Sequence, residues 1–347
     1  MAIVCSFSKN LIEADLLWMK RAIQEAKKGR GKTAPNPIVG AIIVHAGKIL
    51  STGYHIAAGQ SHAEIEALHA LPSGVTARGA TLYVTLEPCS TTGKTPPCTQ
   101  AIIHAGFARV VYGATDPNPV HQGAAQKILE QAGVEVTTGL LAKECEQLNC
   151  YWNHRMKTGL PWVIAKCGMS LDGCISSHPE RRWITSPASR HDAMHLRAEV
   201  EAILVGGNTV RNDNPRLTVR PVSKNQPWRI IWSLSGNVSP TSHVLTDQHR
   251  HKTKITTGES LQKIIHALAE HGISSVLMEG GGRTLGEAFD QQLIDEVRFY
   301  VAPLLQGGPV PAVGGLGIPG GVELKKVSYR MIGDDVVISG LVKKKNC

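Results

Sequence analysis

The 347-residue chain is long enough for two domains that each bury a core, and 42% hydrophobic with 19% charged residues excludes an extended disordered protein. Its apolar runs, such as Ala41-Ile42-Ile43-Val44, are too short to span a bilayer, and Met1-Ala2-Ile3-Val4-Cys5-Ser6 does not begin a secretory signal, so a cytoplasmic protein without membrane contact is expected. The formal charge of +9 has its excess beyond position 150, where only Trp183 could stack a base near Arg181, Arg182, Arg190 and Arg197; this favours a phosphorylated small molecule over nucleic acid.

In chain order, residues 11–28 have helical periodicity, and residues 38–44 and 48–54 read as strands joined by an Ala46-Gly47 hairpin turn. A helix over 61–71, a strand over 81–86 and a helix over 97–104 follow. Then come a strand over 109–113, a helix over 123–132 and a strand over 134–137. This alternation predicts a layered α/β domain. Residues 149–161 carry no sustained pattern and end in Gly159-Leu160-Pro161, so the domains are set at 1–150 and 151–347. The second half is predicted to have strands at 162–167, 202–206, 229–232, 275–278, 296–302, 326–331 and 336–341. Helices are expected over 189–198, 261–271 and 284–293.

The chemistry concentrates in His62-Ala63-Glu64, Pro88-Cys89 and Cys98. Three protein ligands leave the fourth tetrahedral position of a zinc ion open for water, and a nearby non-ligand Glu can move protons. Zinc nucleobase deaminases carry H-x-E with a later P-C-x-x-C. Here eight residues, 90–97, separate the cysteines instead of two. Ser61 to Glu64 is also the S-x-x-E pattern of a capping box, which leaves a purely structural reading open. Cys89 and Cys98 are expected near helix starts, where the local potential favours thiolates. A closed structural zinc site would need a fourth ligand at finger-like spacing, and none stands there. The remaining cysteines, Cys5, Cys145, Cys150, Cys167, Cys174 and Cys347, have no partner at a recognisable spacing.

Pro35-Asn36-Pro37-Ile38-Val39-Gly40, Gly53-Tyr54-His55, His62-Ala63-Glu64, Glu87-Pro88-Cys89-Ser90, Gly93-Lys94-Thr95-Pro96-Pro97-Cys98 and Asp116-Pro117-Asn118-Pro119 together resemble the deaminase half of the bifunctional riboflavin-biosynthesis deaminase/reductases. The resemblance implies a cytidine-deaminase-like three-layer fold, zinc on His62, Cys89 and Cys98, and Glu64 as the proton shuttle. It further implies that Asn36, Lys94, Asp116 and Asn118 contact a phosphorylated pyrimidine, although Asn36 and the Asp-Pro-Asn-Pro run are equally turn signals. Two positions depart from the family pattern: Thr91 replaces a usual histidine, and Ala124 a usual basic residue.

Beyond the break, Lys166-x-x-Met169-Ser170-Leu171-Asp172-Gly173, Trp183-Ile184-Thr185, Leu196-Arg197-Ala198, Asp213-x-Pro215-x-Leu217-Thr218-Val219-Arg220 and Glu279-Gly280-Gly281 resemble the reductase half of the same family. A dihydrofolate-reductase-like domain using NADPH is implied. By the resemblance, Gly168, Trp183, Thr209, Asp213, Ser233 and the run Gly281, Gly282, Arg283, Thr284, Leu285, Gly286 and Glu287 face NADPH. Arg197, Leu217, Arg220 and Glu279 face the substrate, and homodimerisation through this domain is expected. Taken by themselves, the Gly runs after 202–205 and 276–279 are as well explained by tight turns, Arg197 by a salt bridge, Asp213 by a turn and Trp183 by core packing. G-x-G-x-x-G does not occur in the usual Rossmann place. Arg181 and Trp232 depart from the family pattern and leave open a second domain that is only structural or dimerising.

Overall fold

The computed structural model of the chain describes residues 2–92, 96–119, 121–175, 181, 183–220 and 225–344. It divides into two compact units, Met1–Thr158 and Gly159–Cys347. No helix among the described residues is long and apolar enough to cross a membrane.

The first unit contains α1 (Ala2–Lys27), β1 (Gly40–His45), β2 (Lys48–Tyr54), α2 (Ala63–His69), β3 (Thr81–Leu86), α3 (Cys98–Ala105), β4 (Arg109–Ala114), α4 (Ala124–Gln131), β5 (Glu135–Thr138), α5 (Ala142–Leu148) and α6 (Cys150–Thr158). Its sheet runs β2-β1-β3-β4-β5, with β1 antiparallel to both neighbours and the other pairs parallel. The alternation of strand side chains supplies two cores. Ala41, Ile43, Leu82 and Val84 meet Ala63, Ala67 and Ile102 on one face, whereas Ile42, Val44 and Tyr83 meet Met19, Ala22 and Cys145 on the other. The result is a sheet between two helical layers. Ala46 and Gly47 turn the β1–β2 hairpin with φ of 48° and 71°, the two left-handed residues of a type I′ turn. At Gly53 the backbone of α2 comes so close that a Cβ would lie 2.3 Å from Ala67 N and 2.4 Å from Ala63 O.

The second unit contains β6 (Trp162–Ser170), α7 (Pro187–Glu199), β7 (Ala202–Gly206), α8 (Gly207–Asp213), β8 (Trp228–Ser233), α9 (His243–Thr246), a 3-10 turn (Arg250–Lys252), β9 (Thr253–Thr257), α10 (Leu261–Glu270), β10 (Ser275–Met278), α11 (Gly282–Asp290), β11 (Glu296–Ala302), β12 (Leu324–Ile332) and β13 (Asp335–Val342). Its sheet order is β12-β13-β11-β6-β10-β7-β8-β9, parallel from β11 to β9 and antiparallel at β13 and β12. One face packs Leu261, Ile264, Leu285 and Phe289 of α10 and α11; the opposite face packs Ala193 of α7 against Tyr300 and Val337. Ser186 starts α7 by accepting Ser189 N–H at 3.2 Å, with Pro187 in the first turn.

Three features differ from the sequence expectation. The 149–161 break holds a helix, α6, which has no fully buried residue and so no apolar period to read. The short α5, α8 and α9 and the strand β9 also went unpredicted. Glu64 is not part of a capping box: the N-cap of α2 is His62, whose side chain makes no cap bond.

Candidate functional site

His62 stands at the start of α2 in an extended conformation, φ −72° and ψ 163°, which turns its imidazole off the helix toward two thiols. Its Nδ1 lies 3.3 Å from Cys98 Sγ and 3.5 Å from Cys89 Sγ. Cys98 opens α3 directly after Pro97. Cys89 lies outside any helix, but its Sγ accepts the Cys98 N–H at 3.2 Å and so stands near the start of α3, as the sequence reading expects. The three donor atoms all lie within 4.8 Å of one another. A tetrahedral N–Zn–S edge is about 3.5 Å, so one imidazole nitrogen and two sulfurs at these separations fit three corners of a zinc site.

The electrostatics also fit a cation. The bond from the Cys98 side chain, helped by His62, brings the Cys89 thiol down to about 4, while the same bond and burial push Cys98 up. Two adjacent thiols thus share one negative charge until a divalent ion lets both ionise. Glu64, the second residue of α2, is 4% exposed; burial and then the Cys89 charge push its carboxyl up. A buried carboxyl shifted upward in this way is a candidate proton carrier.

In the second unit the candidate residues gather at the carboxyl ends of parallel strands, where open α/β sheets bind ligands. Glu279 directly follows β10; its side chain is 9% exposed and takes Arg197 Nε at 2.5 Å and Nη2 at 2.8 Å, with Lys166 Nζ at 3.6 Å. Burial raises the Glu279 carboxyl, but the charges of Arg197 and Lys166 outweigh it and hold it down to about 2. Arg197 is therefore engaged in an ion pair, and its Nη1 also donates to Thr218 O at 3.4 Å. Leu217 is buried with φ 52°, a conformation costly for a branched residue, and Arg220 is exposed nearby. Ser233, at the end of β8, has a buried hydroxyl with no partner among the described residues. A Cβ on Gly206 would lie 2.5 Å from Thr284 Oγ1. The glycine lets α11 pack directly on the end of β7, and the orphaned Ser233 hydroxyl beside it is a polar group that a bound cofactor could satisfy.

The first unit matches, over residues 12–114, the family described as cytidine and deoxycytidylate deaminase zinc-binding region, and residues 161–338 match the RibD C-terminal domain. The chain is 42% identical over 317 residues to the riboflavin biosynthesis protein RibD of Bacillus amyloliquefaciens, covering 84% of this chain and 85% of that protein. The chain belongs to the RibD family. With the RibD of Escherichia coli K12 it shares 37% identity over 93% of this chain and 98% of the relative. Acinetobacter baumannii RibD superposes with a TM-score of 0.88 at 32% identity, covering 96% of this chain and 99% of that one. The Thermotoga maritima structure described as a diaminohydroxyphosphoribosylaminopyrimidine deaminase/5-amino-6-(5-phosphoribosylamino)uracil reductase gives 0.86 at 33% identity over 96% of this chain and 99% of that one. As a RibD, the chain is a bifunctional riboflavin-biosynthesis enzyme with a deaminase unit and a reductase unit.

The other residues singled out from the sequence are placed as follows. Asn36 is half-buried, and its Nδ2 lies 3.2 Å from His55 Nε2. His55 donates from Nδ1 to Ser61 O at 2.9 Å, so Nε2 accepts from Asn36; burial lowers its pKa and favours that neutral ring. Its ring stands edge-on to His62 at 5.6 Å. Asp116 is 6% exposed and its Oδ1 accepts Asn118 N at 2.8 Å. Lys94 lies outside the described residues. Thr91 Oγ1 is 3.4 Å from His121 Nδ1, so an imidazole does stand beside that departure, supplied from another loop. Ala124 is half-buried at the first position of α4.

Gly168 lies in β6 against Thr185, Thr209 in α8 near Gly281, and Asp213 at the exposed end of α8. Trp183 is 52% exposed with the Arg190 guanidinium 4.7 Å from its ring. In α11, Gly281 is the N-cap, Gly282 packs on Pro311, Arg283 is exposed and Thr284 is buried toward Gly206. Leu285 turns wholly into the core, Gly286 lies against the Gly314 backbone, and Glu287 accepts Gln291 Nε2 at 2.5 Å. Of the departures in this unit, Trp232 packs in the core with its Nε1 donating to Glu259 O at 2.9 Å, and Arg181 Nε donates to Trp183 O at 3.3 Å. Sequence reasoning missed His55, Lys166 and Glu87 as site residues. Lys166 did carry a signal, a lone cation in the otherwise apolar strand Val163-Ile164-Ala165-Lys166-Cys167.

Proposed function

We propose that this enzyme first hydrolytically deaminates 2,5-diamino-6-(5-phosphoribosylamino)pyrimidin-4-one in its zinc unit and then reduces the ribosyl side chain to ribityl with NADPH in its second unit. The observation that carries the reading is the imidazole and two thiols drawn within 4.8 Å beside the buried carboxyl of Glu64. A zinc ion held by His62, Cys89 and Cys98 supplies Lewis-acid activation of water at neutral pH. Glu64 accepts a proton on the water side and returns it to the departing amine, the role its buried position beside the thiols supports. Asn36, locked by His55, orients the ring, and Asp116 and Asn118 line the cleft; Lys94 is assigned to the phosphoribosyl side.

NADPH, when bound, supplies the hydride. Gly168, Trp183, Thr209, Asp213, Ser233 and the stretch from Gly281 to Glu287 are assigned to hold it, and Arg197, Leu217, Arg220 and Glu279 to hold the phosphorylated sugar. The ion-paired Arg197, Lys166 and Glu279 present fixed polar groups at the strand ends, two cations on one carboxylate, and so leave a net positive charge suited to a phosphorylated ligand. Dimerisation through this unit is supported by the edge strand β12, whose Tyr329 and Met331 are 72% and 64% exposed. The proposed ligand is a free phosphorylated pyrimidine, with no nucleic acid or membrane partner, in the cytoplasm.

Incubating purified protein with the diaminopyrimidine ribosyl phosphate, with and without NADPH, tests both halves at once. Ammonia release is expected without NADPH, and NADPH oxidation only after deamination. A zinc-loaded preparation that releases no ammonia would remove the deaminase assignment, and unchanged NADPH absorbance on deaminated substrate would remove the reductase one.

A further inference from the structure

Glu87 is buried, 3% exposed, and its carboxylate accepts three backbone N–H bonds: from Asp116 and Gly123 to Oε2 and from Ala125 to Oε1, each 3.1 Å. Burying a carboxylate is costly unless such donors replace its water, so three convergent N–H groups mark a position where both oxygens are needed. The donors lie at the two ends of one loop, Asp116 at its start and Gly123 and Ala125 at the entry to α4. Glu87 itself is fixed to β4 by its N–H to Ala114 O at 2.8 Å, and Cys89 lies two residues further on. One side chain thus joins the strand leading into the zinc ligand to the loop carrying Asp116, Asn118 and His121.

We propose that Glu87 is a positioning residue of the deamination site, whose carboxylate sets where Asp116 and its loop stand over the zinc nest. The inference rests on the assignment of Asp116 to the substrate. The bland alternative is that Glu87 merely caps α4. These differ in what Glu87→Gln does: glutamine keeps one acceptor oxygen but sets an NH2 against a backbone donor, so the loop shifts while the volume is kept. A cap lost from α4 lowers stability independently of Asp116, whereas a positioning role is exercised through Asp116.

The test uses the full chain as Glu87→Gln, Glu87→Asp, Asp116→Asn and the double variant Glu87→Gln/Asp116→Asn. Zinc content, KM and kcat for ammonia release, and NADPH oxidation on deaminated substrate are measured for each. Glu87→Gln is expected to keep its zinc and its NADPH oxidation, to raise KM by about tenfold or more, and to change kcat by less than about threefold. The double variant should be no worse than Asp116→Asn alone, because residues acting through one another are not additive. An unchanged KM in Glu87→Gln, or additive effects in the double variant, overturns the proposal while leaving the deaminase assignment standing. Loss of zinc or of NADPH oxidation in both Glu87→Gln and Glu87→Asp also overturns it, since the carboxylate would then be structural. Absence of ammonia release from the unsubstituted enzyme strikes instead at the function itself.

Discussion

Glu64 is buried in the first turn of α2, and burial and the neighbouring thiolate raise its pKa, a placement that costs stability and marks it as a candidate proton carrier. Glu64→Gln keeps the shape and removes none of the zinc ligands, so zinc should stay bound while ammonia release falls by about 10²–10⁴-fold. Zinc by mass spectrometry alongside an ammonia assay decides it; an undiminished rate would dismiss Glu64 as the proton carrier. Glu279 leads to a pH prediction. Its folded pKa of about 2 lies below the ordinary 4.5, so the stabilisation is present above the ordinary value and lost as pH falls toward the folded one. Glu279→Gln should therefore cost on the order of 3 kcal/mol at neutral pH, with the gap to the unsubstituted protein closing below about pH 4. Denaturant titrations across pH measure this, and a gap independent of pH would show that the ion pair does not stabilise the unit. The zinc residues were legible because one chemistry demands rare residue types in a short span. His55, Lys166 and Glu87 were not, because each gains its role from a partner distant in sequence: Asn36, Glu279 and the loop beginning at Asp116.

At the scale of elements, the zinc nest depends on how α2 lies on β2. Gly53 lets the helix backbone touch the strand, and a Cβ there would fall 2.3 Å from Ala67 N and 2.4 Å from Ala63 O. Backbone cannot yield as a flexible side chain can, so Gly53→Ala should lift α2 and with it His62 and Glu64. A loss of about 1–3 kcal/mol in the first unit is expected, together with weaker zinc binding in chelator competition. Unaltered zinc affinity would mean that the ligand positions do not depend on this contact. The same logic explains which elements the sequence disclosed. Residues 48–54, 81–86, 202–206 and 275–278 were read with the bounds the structure shows, because buried strands alternate or run apolar between turn residues. The Ala46-Gly47 turn was legible from its composition. By contrast α6 has no fully buried residue and sets only Trp152 part-way against the core, α8 is a seven-residue turn of helix beginning with glycine, and β9 buries only Thr256. Elements held by their neighbours' hydrogen bonds rather than by an apolar face leave no periodicity to find.

At the scale of the whole molecule, each apolar cluster among the described residues draws its members from one unit, and the described strands form one sheet in each unit. Sidedness of this kind means that each unit buries its own core, and that the stability of one does not require the chemistry of the other. The zinc ligands His62, Cys89 and Cys98 lie in the first unit, and Lys166, Arg197 and Glu279 in the second. Chelation with 1,10-phenanthroline should therefore abolish ammonia release and leave NADPH oxidation on deaminated substrate at its full rate. Adding back zinc should restore the first activity alone. Separately produced fragments 1–158 and 159–347 should behave alike, the first releasing ammonia and the second oxidising NADPH, with the deaminated intermediate passing through solution when the two are mixed. If removing zinc also silences the reductase, the units are coupled in a way their separate cores do not require, because the ion would then be stabilising more than the loops it binds.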